Sequence, residues 1–198
     1  MKKYGDDILL LIKEISENLQ KPIWLEFGTL LGAYREKGFI GHDYDMDLGM
    51  YHADYDGSLE TALRDKGFKK IHSFHQVRKG ERLLTEVTWA YEGFNVDIFL
   101  CLKDNERHIF AYGKKDEESF HQGKWEVLEY VQPLALPLEK VVVNSISCYA
   151  PALIETCLRN YYGDDFMTPK KGCSATDKTD RVKVWDINEV YAKISFQS

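Results

Sequence analysis

The feature that most constrains this chain is the run Asp43-Tyr44-Asp45-Met46-Asp47-Leu48-Gly49-Met50, in which a carboxylate recurs at every second position. Period two is that of a β-strand, so the three aspartates leave one face, about 6.6 Å apart per step, while Met46, Leu48 and Met50 tie the segment to a core. Carboxylates in such a row repel one another, and a fold that brings them together calls for a compensating cation. Oxygen-only ligands at this spacing suit Mg²⁺ or Mn²⁺ and not a soft metal. Two other readings stay open on the residues alone. One is a solvated acidic edge. The other is a calcium loop, since Asp43-x-Asp45-x-Asp47 copies the start of an EF-hand and Asp54 falls at its twelfth place, although Leu48 stands where the sharp turn needs Gly.

A fourth carboxylate, Asp97, lies within Phe94-Asn95-Val96-Asp97-Ile98-Phe99-Leu100, where an ionised group among apolar neighbours is expensive without a cation or a hydrogen-bonded partner. Strand alternation puts Asn95, Asp97 and Phe99 on one face, and a neighbouring strand can bring Asp97 beside Asp45 and Asp47. The alternative is an Asp paired with a buried Arg or capping a turn. Gly28-Thr29 sits at an expected strand-to-helix turn, where a residue without a side chain and exposed helix amides allow close approach of a phosphate. A helix start without a ligand has the same appearance. No GxGxxG or GK[ST] form is present, which removes the dinucleotide and P-loop readings.

The 6 histidines form neither HxxxH nor HExxH, and no GxSxG elbow occurs, so zinc hydrolysis and serine catalysis are poor readings. His42 is a candidate to face the site beside Asp43. The 4 cysteines, Cys101, Cys148, Cys157 and Cys173, include no CxxC pair and read as buried free thiols. A net charge of -6 offers no positive field for a phosphate backbone, which argues against a nucleic-acid partner. The apolar stretch from Ile8 to Ile12 is too short for a signal peptide or a membrane span, so no integral membrane segment and a cytoplasmic location are expected.

With 198 residues, 44% apolar, the chain is expected to form one domain over 1–198. Apolar spacing predicts a helix over 6–19, ended by Pro22. A short strand is expected over 23–27, then a turn at 28–33 entering a helix that stops near Gly38. Further expectations are a strand over 43–50, a helix from a Ser58 cap to Lys66, and strands over 82–91 and 94–100 around Glu92-Gly93. Shorter strands are expected over 108–112 and 125–128, a polar loop over 113–123, and a helix over 151–161. The last 35 residues give no clear pattern. The order implies an α/β (α+β) fold, a mixed sheet flanked by helices.

Read together, Trp24-Leu25-Glu26-Phe27-Gly28-Thr29-Leu30-Leu31-Gly32-Ala33-Tyr34-Arg35, then Gly38-Phe39-Ile40 and Asp43-Tyr44-Asp45-Met46-Asp47-Leu48-Gly49, resemble the LicD family and its fukutin-related relatives. The resemblance continues through Asn95-Val96-Asp97-Ile98-Phe99, the stretch from Gln132-Pro133-Leu134 to Pro137-Leu138, and Tyr161-Tyr162-Gly163-Asp164-Asp165-Phe166, covering roughly residues 5–170. It implies a nucleotidyltransferase-like fold in which Gly28 and Thr29 handle nucleotide phosphates, Asp45, Asp47 and Asp97 hold magnesium, and Asp43 joins or supports them. It also implies a CDP-linked donor, such as CDP-choline or CDP-ribitol, and a glycan hydroxyl as acceptor, with CMP leaving. Tyr44, where the phosphocholine branch often has Asp, is closer to the polyol-phosphate branch. Asp97 or Asp43 is a candidate to take the acceptor proton. Arg35, Lys170 and Lys171 are candidates for phosphate contact. The rival classes are an enzyme that moves the nucleoside monophosphate itself and a non-catalytic nucleotide- or glycan-binding module.

Overall fold

The computed structural model describes residues 4–169 and 181–197, so Lys170, Lys171 and Cys173 lie outside the described residues. The chain opens with α1 (Gly5–Leu19), whose Ile8, Leu9, Ile12 and Ile15 form the expected buried stripe. Gln20, in the left-handed conformation, ends this helix before Pro22 is reached. The next strand, β1, is only Trp24–Leu25, because the chain turns at Glu26 and enters α2 (Phe27–Glu36). Gly28 and Thr29 therefore belong to the first turn of a helix, not to a turn that precedes it.

The acidic strand is β2 (Asp45–Tyr51), with Asp43 just ahead of it. A 3-10 turn (His52–Asp54) leads to α3 (Gly57–Asp65), capped by Asp56, whose carboxylate accepts from the amides of Ser58 and Leu59. The cap is thus Asp56 and not Ser58. Then come β3 (Lys69–Arg78), β4 (Glu81–Tyr91), β5 (Phe94–Lys103) and β6 (Arg107–Gly113). The segment expected to be a loop over 113–123 contains α4 (Glu117–His121), capped by Asp116. It is followed by β7 (Glu126–Gln132), a separate hairpin of β8 (Glu139–Val143) and β9 (Ile146–Ala150), α5 (Ile154–Tyr162), β10 (Lys183–Val184) and β11 (Val190–Phe196). Pro151 precedes α5 instead of lying in its first turn.

The main sheet runs β10-β7-β6-β5-β4-β3-β11, antiparallel at every step, with β2 added to β5 in parallel and β1 antiparallel to β2. The fold is mixed α/β, as expected from the element order. A bridge between Trp125 and Ala192 joins the start of β7 to β11, so the sheet curls on itself. Inside the curl Phe74, Phe110, Val127, Val190 and Ala192 form a small second core. The principal core lies between the helices and the strands of the other face, around Trp24, Leu30, Met46, Leu48, Trp89, Ile98 and Leu158.

One polar interaction penetrates that core. Glu26 and Arg107 are both 0% exposed and form an ion pair. Trp24 Nε1 donates to Glu26 at 2.8 Å and Tyr161 OH donates at 2.9 Å, which satisfies both carboxylate oxygens. Arg107 Nε also donates to the carbonyl of Pro133 at 3.3 Å. The network joins the β1–α2 junction to β6, the end of β7 and α5. It requires Gly49, because a Cβ there would stand 2.3 Å from Trp24 Nε1 and 2.8 Å from Glu26 Oε2.

Removing one member of a buried pair strands the other charge, so Arg107→Ala is expected to lower unfolding free energy by about 3–5 kcal/mol in urea titration. The double variant Glu26→Gln/Arg107→Met should lose less than the sum of its single changes. A loss near zero for Arg107→Ala would show that the pair does not anchor the fold.

Candidate functional site

The register of the sheet arranges the site in two rows. Asp47 stands opposite Asp97 across β2 and β5, Asp97 opposite Thr88 on β4, and Thr88 opposite His72 on β3. Two residues further along, Gly49, Phe99, Glu86 and Phe74 form the next row on the same face. Asp45, paired with Asn95, lies one step to the other side.

One carboxylate oxygen each from Asp45, Asp47 and Asp97 lies within 4.8 Å of the others. An all-oxygen donor set of this span fits a hard divalent cation such as Mg²⁺ or Mn²⁺. Its charges agree with that fit. Burial, then the neighbouring Asp45 and Asp97, pushes Asp47 well above the usual carboxylate range, against a hydrogen bond from Gly28 that acts the other way. Asp97 is pushed up to about 6 by burial, with the Thr88 hydroxyl opposing. Burial raises Asp45 as well, and burial with the Asp45 charge raises Asp43.

The start of α2 is fastened to this cluster. The Gly28 amide donates to Asp47 Oδ2 at 2.9 Å, the Asp47 amide donates to Thr29 Oγ1 at 2.9 Å, and the Glu26 amide donates to the Asp47 carbonyl at 3.0 Å. Thr29 is buried, and its hydroxyl holds β2 in place instead of lining the cleft. Gly28 does line the cleft, and a Cβ there would sit 3.2 Å from both Asp43 Oδ2 and Asp47 Oδ2. Phe27 has a φ of 39°, in a region strained for a bulky residue. Its ring is held by Tyr161 at 4.4 Å and Phe99 at 4.7 Å between centroids.

Asp97 is fixed from the other side. Thr88 Oγ1 donates to Asp97 Oδ1 at 2.5 Å, and His72 Nε2 lies 2.9 Å from the same hydroxyl. With Asp97 ionised the Thr88 proton goes to the carboxylate, and the His72 tautomer that carries its proton on Nε2 completes the chain as donor. This chain of bonds sets the orientation of Asp97 from outside the carboxylate cluster.

The cleft over these rows encloses about 450 Å³. Gly28, Leu31, Arg35, Ile40, His42 and Asp43 line it at the α2 side, and Tyr162, Asp165 and Phe166 extend that wall. Phe74, Glu86, Ala111 and Tyr112 line the opposite end. Arg35 reaches the cleft while paired with Glu36 at 2.7 Å. Thus Asp43, Asp45, Asp47, Asp97, Gly28 and Arg35 come together, and Thr29 stands behind them. Sequence reasoning missed Glu86, Thr88 and His72. The only available signal for Glu86 and Thr88 was their alternation on a strand already expected there.

A family model for the LicD/FKTN/FKRP nucleotidyltransferase domain matches residues 20–152. The chain belongs to this family. As a LicD/FKTN/FKRP domain it carries α2, the acidic strand and Asp97 within the matched range, while Tyr162, Asp165 and Phe166 lie beyond it. Mouse ribitol-5-phosphate transferase FKTN is 32% identical over 115 residues, covering 57% of this chain and 23% of that protein. The human protein of the same description is 34% identical over 112 residues, again 57% and 23%. An uncharacterized Rickettsia typhi protein is 28% identical over 147 residues, covering 71% of this chain and 40% of that protein. The chain therefore matches less than a quarter of the length of the FKTN relatives. No helix among the described residues is long and apolar enough to cross a membrane.

Two outcomes follow from the crowding of carboxylates. In the unfolded chain Asp97 titrates near 3.9, about two units below its folded value of about 6. Between these values the folded protein holds a proton that the unfolded chain has released, so without divalent cation stability should fall as pH rises from about 4 to 6. Asp97→Asn should flatten that decline in thermal melts, and an unchanged slope would remove Asp97 as its source. Gly28→Val should displace the Asp43 and Asp47 carboxylates and so shift the pH dependence of the thermal melt; an unchanged profile would show that the close approach at Gly28 does not matter.

Proposed function

We propose that this chain transfers a polyol phosphate, or phosphocholine, from a CDP-linked donor to a sugar hydroxyl of a glycan and releases CMP. The observation that carries the reading is the convergence of the Asp45, Asp47 and Asp97 oxygens at the start of α2, inside a cleft with Arg35 on its wall. Family membership supports it, and the ribitol-5-phosphate transferases among the relatives favour a polyol phosphate over phosphocholine.

Asp45, Asp47 and Asp97 would hold Mg²⁺ or Mn²⁺, which when bound neutralises charge on the donor pyrophosphate and on the leaving phosphate. The protein's own part is positioning. Asp47, gripped by Gly28, and Asp97, gripped by Thr88, present fixed oxygens, so little reorganisation is needed as charge develops. Gly28 offers a surface without a side chain, and Arg35 supplies a guanidinium for the donor's phosphates. Leu31, Ile40 and Phe166 form an apolar wall beside them.

The description of the family as a nucleotidyltransferase domain keeps one alternative alive, in which attack falls on the phosphorus bearing cytidine. The same carboxylates serve either displacement, and in-line placement of the hydroxyl selects between them.

Incubation with CDP-ribitol, CDP-glycerol or CDP-choline, Mg²⁺ and a glycan acceptor should yield CMP one for one with a glycan heavier by the head-group phosphate, measured by mass spectrometry. EDTA should abolish the reaction and Mg²⁺ or Mn²⁺ restore it. Asp45→Asn, Asp47→Asn and Asp97→Asn should each remove most turnover. A glycan that carries cytidine monophosphate would replace this reading with the nucleotidyl alternative.

A further inference from the structure

Glu86 is a carboxylate of the cleft that the Asp45, Asp47 and Asp97 trio leaves out. It is 7% exposed, lines the cavity, and among the described residues no hydrogen bond or ion pair engages it. The neighbouring acids differ. Asp47 accepts from Gly28 and Asp97 from Thr88, whereas Glu86 stands outside the group whose oxygens lie within 4.8 Å of one another. Its carboxylate oxygens are open to the cleft and not sealed in the core, so a ligand's donor can reach them.

The surroundings of Glu86 restrict that ligand. Phe99 and Phe74 flank it in the same row of the sheet, and the Phe74 ring stacks on Tyr112 at 4.6 Å between centroids. Burial, then the Asp97, Asp47 and Asp45 charges, pushes Glu86 well above the usual carboxylate range, so this end of the cleft supplies nothing to hold a nucleotide's phosphates, for which Arg35 and the α2 start stand across the Asp cluster. What the Glu86 end accepts is a neutral donor carried on an apolar surface, as a sugar presents a hydroxyl beside its C–H face.

We propose that Phe74, Glu86 and Tyr112 form the acceptor subsite, with Glu86 receiving the attacking hydroxyl's hydrogen bond and then its proton. This rests on the transferase reading above. The hydroxyl oxygen forms the new O–P bond, its proton passes to a Glu86 oxygen, and the P–O bond to CMP breaks with the electron pair leaving on CMP. Position selects Glu86 over Asp97 and Asp43 for this step, since Asp97 already accepts from Thr88 and belongs to the trio that can hold the cation, and Asp43 lines the α2 side of the cleft, away from the Phe74–Tyr112 end.

The test is steady-state kinetics of Glu86→Gln with CDP-ribitol and CDP-choline, next to the Mg²⁺-induced thermal shift of the same protein. The expected result is a fall in kcat of about 10²–10⁴-fold with donor KM and the Mg²⁺ shift unchanged. Phe74→Leu should raise the acceptor KM several-fold and leave the donor KM alone. Unchanged kcat in Glu86→Gln overturns the proposal. So does loss of the Mg²⁺ shift, which would make Glu86 a metal ligand, or a rise in KM confined to CDP-choline, which would make it a head-group contact. The ratio of variant to wild type is read on whichever product forms, so a cytidylated glycan would refute the transferase reading while still testing Glu86.

Discussion

Everything at the site depends on the parallel pairing of β2 with β5, which sets Asp47 directly opposite Asp97. A strand register that places two carboxylates face to face is electrostatically unfavourable; burial, then the Asp45 and Asp97 charges, raises Asp47, while burial, with the Asp45 charge, raises Asp97. The pairing persists because the opposite faces of both strands are apolar, with Met46, Leu48, Val96 and Ile98 all buried. A slip of one residue would turn those side chains to the cleft and the aspartates to the core. Hydrophobic burial thus fixes an acidic arrangement that its own charges oppose.

The Glu26–Arg107 pair secures the frame around this register. Glu26 is the residue at which β1 becomes α2, so its burial fixes where the helix begins and how Gly28 and Thr29 meet Asp47. Several residues that carried the family resemblance outside the acidic strand serve this support. Tyr161 donates to Glu26, the Pro133 carbonyl accepts from Arg107, and Gln132 donates to the Cys157 carbonyl while accepting from Asn160. A resemblance spread over distant segments therefore reports one buried network as well as one acidic site.

The sequence-based reading went furthest where periodicity was clean. The stripe of α1, the alternation of β2 and the hairpin of β4 and β5 lie within a few residues of their expected bounds. It failed at β3, where two shifts of register, between Lys70 and His72 and between Phe74 and His75, break the alternation that marks a strand. It placed the caps of α2 and α3 imperfectly because the decisive contacts are made by the backbone at Glu26 and by Asp56, one residue ahead of the helix.

By itself the sequence determined the acidic strand, the isolated Asp97 and the glycine near them, since these are local patterns of charge against hydrophobicity. Only the tertiary structure decided which strand lies beside which, and hence that Asp47 faces Asp97, that Thr88 and His72 orient it, that Thr29 turns inward, and that Glu86 looks into the cleft. Each of those facts is a pairing between residues far apart in the chain. Side-chain period tells which face a residue occupies, while its neighbour on that face is chosen by the packing of the whole sheet.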